Sequence, residues 1–184
     1  MKELSLNILD IAENSVKANA SLIRIIIDEQ GDKLTLTIAD DGCGMSEEVV
    51  RSVTDPFYTT RTTRKVGLGV PLLKMEAEMT GGGLSVKSKT KEEFPDSHGT
   101  EITAVFYKNH IDFIPLGDVV STIVTLIQGN PDIDFYFSHN IDGSEVILGT
   151  KQLREVLEDV PLNSYEVIKW VEEYLKEQYR DLEK

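Results

Sequence analysis

The sequence predicts an α+β fold, in which helices and antiparallel strands occupy separate stretches of the chain. Three observations lead to this prediction. In some stretches apolar residues recur every three to four positions, which is typical of helices with one buried face. In others they alternate with polar residues, which is typical of strands. Turns at Gln30-Gly31-Asp32 and Asp142-Gly143 join neighbouring strands into hairpins.

The first helix is predicted over residues 4–18. Its buried stripe consists of Leu4, Ile8, Ile11, Ala12 and Ser15. Asp10 and Asn14 lie four residues apart and project together from the opposite side. These two side chains are candidates for a functional site, although exposed polar residues of an amphipathic helix would show the same pattern.

Four strands and two more helices are predicted before residue 108. The strands cover residues 23–28, 34–40, 84–88 and 102–107. A short helix is expected after Ser46. A longer one covers residues 68–79, with Pro71 in its first turn and Gly81 at its end. In residues 54–66 the apolar residues follow neither the helical nor the strand spacing, so this stretch is predicted to form a loop.

The composition changes near residues 107–115, which predicts a domain boundary there. Beyond it, helices are predicted at 119–128, 151–158 and 164–182, and a hairpin of strands at 133–137 and 145–148. Asn163, with Glu166 three residues later, is the expected cap of the last helix. We therefore expect two domains, residues 1–107 and residues 108–184, of which the second is a small α/β appendage.

The charge of the chain excludes some functions. The 19 Lys and Arg residues are outnumbered by 32 Asp and Glu residues, which gives a net charge of −13. Nucleic acids and anionic membranes both bind basic surfaces, so we expect neither as a partner. We see no apolar stretch of about 20 residues and no signal peptide. The single Cys43 fits a reducing compartment, and we expect a cytoplasmic protein.

Asp40 ends a predicted strand and is followed by Gly42 and Gly44. A carboxylate held at this point can accept a hydrogen bond from an amino group such as that of adenine. Such a bond is worth roughly 1.5–3 kcal/mol because one partner is charged. Glycines let the backbone lie close to a flat ring. Taken alone, the pattern fits an ordinary turn after a strand better than a ligand site.

Gly67-Leu68-Gly69 leads directly into a predicted helix. The free N–H groups and the positive dipole end of a helix N-terminus suit a phosphate. The chain has no Gly-x-x-x-x-Gly-Lys-Ser/Thr sequence, so the signal is weaker than a P-loop. Arg61, Arg64 and Lys65 precede it and could close over a terminal phosphate as a mobile lid. An ordinary solvated basic loop explains each of these residues equally well.

Four motifs together resemble one family. They are Asp10 to Ala18, Ala39 to Met45, Val66 to Leu73 and His98 to Ile102. In this order they resemble the ATP-binding domain of the GHKL superfamily, which comprises gyrase, heat-shock chaperone, histidine kinase and mismatch-repair ATPases. The resemblance covers roughly residues 1–107. It implies a two-layer α/β sandwich of the Bergerat type, with helices on one face of a mixed sheet and residues 54–66 as a lid.

The resemblance also implies roles for individual residues. Asp40 reads adenine, Thr100 supports that contact, Asn14 is the metal ligand, and Asp10 takes the catalytic position where gyrase-like members have Glu. The implied cofactors are ATP and Mg²⁺, which takes few protein ligands beside phosphates and water. The implied nucleotide-contacting residues are Asn14, Lys17, Asp40, Gly42, Gly44, Met45, Thr59, Arg61, Lys65, Gly67, Leu68, Gly69 and Thr100.

Lys17 and the run from Pro56 to Arg61 resemble the histidine-kinase branch. We therefore expect a Mg-ATP-binding regulatory protein, either a slow ATPase or a protein kinase that acts on a partner in trans. Two kinase types are considered: an anti-sigma-like serine/threonine kinase and half of a split histidine kinase. Asp10 is one methylene shorter than Glu, which favours an alternative, a non-catalytic ATP/ADP sensor that signals through lid ordering and residues 108–184.

We expect no helical segment bearing an acceptor histidine ahead of Asp10, hence no autophosphorylation on a histidine of this chain, and no transducer domain that would supply a catalytic lysine. His98, His110 and His139 are expected at the surface. A protein partner of unknown identity is expected, and a homodimer is left open.

Overall fold

The protein is described by a computed structural model that covers residues 2–55 and 68–184. Its helices are α1 (Leu4–Lys17), α2 (Glu47–Val53), α3 (Gly69–Met79), α4 (Val119–Gly129), α5 (Thr150–Leu157) and α6 (Tyr165–Leu182). Its strands are β1 (Leu22–Gln30), β2 (Lys33–Asp40), β3 (Gly83–Lys89), β4 (Gly99–Tyr107), β5 (Asp134–Ile141) and β6 (Ser144–Gly149). Each of these elements was predicted from the sequence to within a few residues. Within the two described stretches, no helix is both long and apolar enough to cross a membrane.

The strands form one mixed sheet in the order β3-β4-β2-β1-β5-β6. Neighbouring strands are antiparallel, except that β1 and β5 run parallel. A parallel pair needs a long connection, and residues 31–133, which include β2 to β4 and α4, provide it. The first strand therefore lies near the middle of the sheet.

One face of the sheet is covered and the other is open. Ile23, Ile25 and Ile27 of β1 are fully buried, whereas Arg24 between them is exposed. Alternate residues of a strand point to opposite faces, so the buried set faces the helices. Burial of each such side chain stabilises the fold by roughly 1.5–3 kcal/mol. The predicted α+β architecture, a two-layer sandwich with helices on one face, is confirmed.

Residues 108–184 extend the layers formed by the first part of the chain. The predicted hairpin, β5 and β6, adds two strands to the same sheet, and α4 packs between α1 and α6. Leu4 and Ile8 of α1 belong to the same hydrophobic core as Ile123 of α4. The division at residue 107 stays a prediction about independent folding, since both parts share one sheet.

The cap predicted for the last helix is wrong by one residue. Ser164, not Asn163, is the N-cap of α6, and its side chain makes no capping hydrogen bond. A side chain caps only when its oxygen reaches a free N–H of the first turn. Ser46 does so for α2, where its hydroxyl accepts a hydrogen bond from the Val49 N–H.

The prediction that His139 lies at the surface is wrong. His139 is part of β5, faces α6 and is 2% exposed. Its Nε2 lies 2.8 Å from Glu29 Oε1, and its Nδ1 lies 2.7 Å from the Tyr179 hydroxyl. Lys108 contacts the other oxygen of Glu29 at 2.5 Å. The four residues form a partly buried polar cluster that joins β1, β5, α6 and the segment after β4.

This cluster predicts a loss of stability in mild acid. Burial lowers the pKa of His139 from its usual value, although Glu29 opposes that effect, so His139 is neutral in the folded protein at pH 7. In the unfolded chain His139 binds a proton at about pH 6.5, whereas in the folded chain it binds that proton only at lower pH. We expect the free energy of unfolding to fall as the pH drops below about 6.5.

Urea unfolding of wild type and of His139→Gln, followed between pH 7.5 and pH 5.5, would check this. The variant should show the smaller decrease, because glutamine does not titrate. His110→Gln is the control, since His110 is exposed and its loss should leave the decrease unchanged. Equal decreases in wild type and His139→Gln would show that other groups control the pH dependence.

Candidate ligand-binding site

A cavity of about 600 Å³ opens between α1, the ends of β2 and β4, and the first turn of α3. It is lined by Ile11, Asn14, Ser15, Lys17, Ala18, Ile38, Asp40, Cys43, Gly44, Met45, Val49, Val53, Val70, Thr100 and Ile102. Six predicted site residues are among them, and they are Asn14, Lys17, Asp40, Gly44, Met45 and Thr100. Cavities of this size accommodate small molecules, so the lining residues define the candidate site.

Asp40 is the carboxylate in the cavity wall, and two donors fix its side chain. The Ser15 hydroxyl donates to its Oδ2 at 2.6 Å, and the Gly42 N–H donates to its Oδ1 at 2.8 Å. Each carboxylate oxygen has two lone-pair sites, so both retain capacity for another donor. Asp40 is therefore held in one orientation and can still accept a hydrogen bond from a ligand.

Asp41, the next residue, has a structural role. Its carboxylate accepts hydrogen bonds from the Ser21 and Leu22 N–H groups at 2.7 and 2.9 Å, and from the Ser21 hydroxyl. Burial alone would raise the pKa of Asp41, but these hydrogen bonds together lower it. Asp41 thus holds the start of β1, and Asp40 is the acidic residue among the described residues that line the cavity.

The backbone of residues 42–45 is packed tightly against its surroundings. Gly44 has φ +70°, and a Cβ atom built on it would lie 1.9 Å from the carbonyl oxygen of Lys89. The sequence suggested that glycine here makes room for a flat ring. The closest contact is instead with protein backbone, so Gly44 is required by the fold of the cavity wall.

Ser88 joins this wall to Thr100 and was missed by the sequence. Its hydroxyl lies 2.7 Å from the Met45 N–H, which donates to it, and 2.8 Å from the Thr100 hydroxyl. Thr100 is also paired with Asp40 across β2 and β4. In β3, Ser88 alternates with exposed residues and shares the inward face with Leu84 and Val86. That pattern could have indicated Ser88 from the sequence, but serine is common at such positions. Ser88, Thr100 and the Met45 N–H are thus linked by hydrogen bonds beside Asp40.

The helix α1 supplies the opposite polar wall. Asn14 and Lys17 line the cavity, whereas Asp10 is exposed and lies just beyond the lining residues. A Cβ atom built on Gly69 would lie 3.0 Å from Asp10 Oδ2, so the first turn of α3 lies against Asp10. Leu68, which precedes α3, is 61% exposed. Gly42, Leu68 and Gly69, which the sequence predicted as site residues, are not among the residues that line the cavity.

Four predicted site residues, Thr59, Arg61, Lys65 and Gly67, lie outside the described residues, as does most of the predicted lid at 54–66. Of the lid, Thr54 and Asp55 are described, and they follow α2. The structure therefore gives the positions of the motif residues Asp10, Asn14, Asp40, Gly69 and Thr100 relative to one another.

The sequence also missed the apolar walls of the cavity. They are formed by Ile11, Ile38, Val49, Val53, Val70 and Ile102. These residues follow the same spacing as core residues, and periodicity alone does not distinguish a core position from a cavity wall. Together with Asp40 they form a mostly apolar cleft with a few convergent polar groups, which is the usual character of a small-molecule site.

The fold and the cavity together indicate one class of protein. It is a two-layer sandwich whose cavity lies between α1, the ends of the strands and the start of α3. The chain belongs to the histidine kinase-, DNA gyrase B- and HSP90-like ATPase family, whose model matches residues 2–110. The family resemblance stated from the four motifs is confirmed.

Curated relatives match the same part of the chain. Sensor histidine kinase YvrG of Bacillus subtilis is 30% identical over 101 residues, which are 52% of this chain and 16% of that protein. Sensor protein SrrB of Staphylococcus aureus is 34% identical over 94 residues, which are 48% of this chain and 16% of that protein. The chain thus spans about a sixth of the length of the curated relatives it matches.

Solved structures share the fold over more of the chain. The N-terminal domain of a DNA repair protein has a TM-score of 0.57 at 18% identity, over 81% of this chain and 53% of its own. The MutL ATPase domain of Aquifex aeolicus, complexed with ADP, has a TM-score of 0.55 at 16% identity, over 86% of this chain and 70% of its own. These similarities show the fold, and their extent includes a large part of residues 108–184.

Proposed function

We propose that this protein binds Mg-ATP in the cavity and acts as a histidine-kinase-like regulatory protein. Family membership supports the class of ligand, and one observation supports the site. Asp40 is held by Ser15 and Gly42 in the wall of an otherwise largely apolar cleft. This arrangement suits an adenine, which has a hydrogen-bonding amino group and an apolar face.

The two ends of the cavity suit the two ends of the nucleotide. The adenine would lie against Ile38 and Ile102, which are neighbours across β2 and β4, with its amino group donating to Asp40 and Thr100 supporting the contact. The triphosphate would extend along α1 toward Lys17 and the first turn of α3, where Val70 lines the cavity. Free N–H groups at that turn, with the Lys17 ammonium as a point charge, would hold phosphate oxygens.

Asn14 is the residue that would hold magnesium. Its amide oxygen is a hard donor in the cavity wall, which fits an ion that takes one or two protein ligands together with phosphates. When bound, the ion would neutralise charge on the terminal phosphates. Asp10 lies one turn before Asn14 on α1.

Asp10 is the proposed general base. It would accept a proton either from water, giving a slow ATPase, or from the hydroxyl of a partner protein, giving phosphotransfer in trans. Aspartate reaches one methylene less far than glutamate, so water near the terminal phosphate is less well oriented. That observation favours a second candidate function, a sensor that binds ATP or ADP without turnover and passes the result to a protein partner. A homodimer is one form such a partner could take.

Incubation with γ-labelled ATP and magnesium separates these functions. Release of free labelled phosphate, abolished in Asp10→Ala, identifies an ATPase. Label on a second protein from the host identifies a kinase, whereas bound and intact ATP identifies a sensor. Absence of ATP binding by calorimetry would contradict the proposed function as a whole.

Removal of the Ser15 hydroxyl should weaken ATP binding, because Asp40 then loses one of the two donors that orient it. We expect Ser15→Ala to lower the ATP affinity by about threefold to tenfold, or about 0.7–1.4 kcal/mol. Isothermal calorimetry measures this directly. Thr125→Ala is a matched control, because its hydroxyl donates within α4 to the Ser121 carbonyl, away from the cavity lining. Unchanged affinity in Ser15→Ala would show that Asp40 needs no support from α1.

A further inference from the structure

Two buried polar residues join α1 to α3 outside the cavity. Asn7 of α1 is 0% exposed and Glu76 of α3 is 7% exposed. The Asn7 side-chain amide donates a hydrogen bond to Glu76 Oε2. Neither residue lines the cavity, and the proposed function has assigned no role to either.

The same two helices meet again at the proposed phosphate site. Asp10 follows Asn7 by three residues, and Gly69 precedes Glu76 by seven, which is about 10 Å along a helix. Asp10 lies against Gly69, because a Cβ atom built on Gly69 would be 3.0 Å from Asp10 Oδ2. The helices therefore run past each other in opposing directions, with the polar pair at one contact and the site residues at the other.

A polar pair is a costly way to fill a helix interface. Among the described residues, Asn7 Oδ1 has no hydrogen-bond partner, although it is buried. Apolar side chains would fill the same space without an unsatisfied oxygen. What a hydrogen bond adds is direction, because it is formed at one relative position of the two helices and lost when they slide. The attraction between apolar side chains is non-directional.

We propose that Asn7 and Glu76 are positioning residues that set where the first turn of α3 lies relative to Asp10 and Asn14. They thereby set how well the site holds the terminal phosphates of a nucleotide, while the adenine end at Asp40 is held separately by Ser15 and Gly42. This inference rests on the proposed function, since it assigns the phosphates to the start of α3.

The test compares the affinities for AMP and ATP, because AMP lacks the phosphates that reach α3. We expect Asn7→Leu and Glu76→Leu each to reduce the ratio of ATP affinity to AMP affinity by about tenfold, with AMP affinity unchanged. The double variant should reduce the ratio by less than the two single effects combined, because the two side chains bond to each other. Glu76→Gln keeps an acceptor for Asn7 and should restore a ratio within about twofold of wild type.

A matched control separates positioning from stability. Thr80 is also buried, at the end of α3, and its hydroxyl contacts Ala77 and Tyr107. Thr80→Val should lower the melting temperature without changing the affinity ratio. If the leucine variants do not fold, Glu76→Asp gives the same test with the charge kept, and it should reduce the ratio by about threefold.

A lowered melting temperature with an unchanged ratio in Asn7→Leu and Glu76→Leu, or in Glu76→Asp where those do not fold, would overturn the inference and leave the proposed function standing. A wild-type protein that binds neither AMP nor ATP would instead remove the proposed function, and this inference with it.

Discussion

Replacement of Asp40 by asparagine should weaken ATP binding by about tenfold or more, because a hydrogen bond to a charged acceptor is worth roughly 1.5–3 kcal/mol. Asparagine has nearly the same shape, but it replaces one carboxylate oxygen with an N–H donor. The carboxylate now accepts from the Ser15 hydroxyl and the Gly42 N–H. An amide cannot accept on both sides and also receive the adenine amino group.

Asp41→Asn is the matched control for this experiment. Asp41 is the neighbouring carboxylate, and its partners are Ser21 and Leu22 at the start of β1. Its replacement should lower stability and leave ATP affinity within about twofold of wild type. Isothermal calorimetry of both variants at neutral pH gives the comparison. Equal affinities in wild type and Asp40→Asn would exclude Asp40 as the adenine acceptor.

Truncation of the chain after residue 107 should abolish cooperative folding. The deletion removes β5, which pairs with β1 along its whole length, and α4, which packs on α1. It would expose apolar side chains of β1 that now lie beside Phe135 and Phe137. Several buried apolar side chains are lost at roughly 1.5–3 kcal/mol each, against a total stability of about 5–15 kcal/mol for an ordinary domain.

Thermal unfolding followed by circular dichroism measures this effect. Deletion of residues 183 and 184, which follow α6, is the control and should leave a single cooperative transition near the wild-type temperature. A cooperative transition in the 1–107 fragment, together with ATP binding, would support the division into two independent domains that the sequence predicts.

The elements of this fold were predictable because their patterns are local. The stripe of α1 and the alternation in β1 and β2 each arise from burial of one face, and a short window of sequence contains the whole signal. The same holds for Asp40 and Gly69, since each belongs to a motif at the end of a strand or the start of a helix. The cavity residues that carry a charge, an amide or a special backbone conformation were therefore found.

Contacts between distant parts of the chain were not predictable from those patterns. The parallel pairing of β1 with β5 connects segments about a hundred residues apart, and it places His139 against Glu29 in the interior. Ser88 reaches Thr100 because β3 and β4 are antiparallel neighbours, and it reaches Met45 from another part of the chain. Serine is mostly exposed in proteins and histidine is intermediate, so nothing in their local sequence indicates these interior contacts.

The most direct test is a crystal structure of the protein with a non-hydrolysable ATP analogue and magnesium. We expect the adenine amino group within hydrogen-bonding distance of the Asp40 carboxylate, and the terminal phosphates at the first turn of α3 near Asn14 and Lys17. A nucleotide bound elsewhere, or a cavity closed by the protein's own side chains in excess nucleotide, would contradict the proposed site.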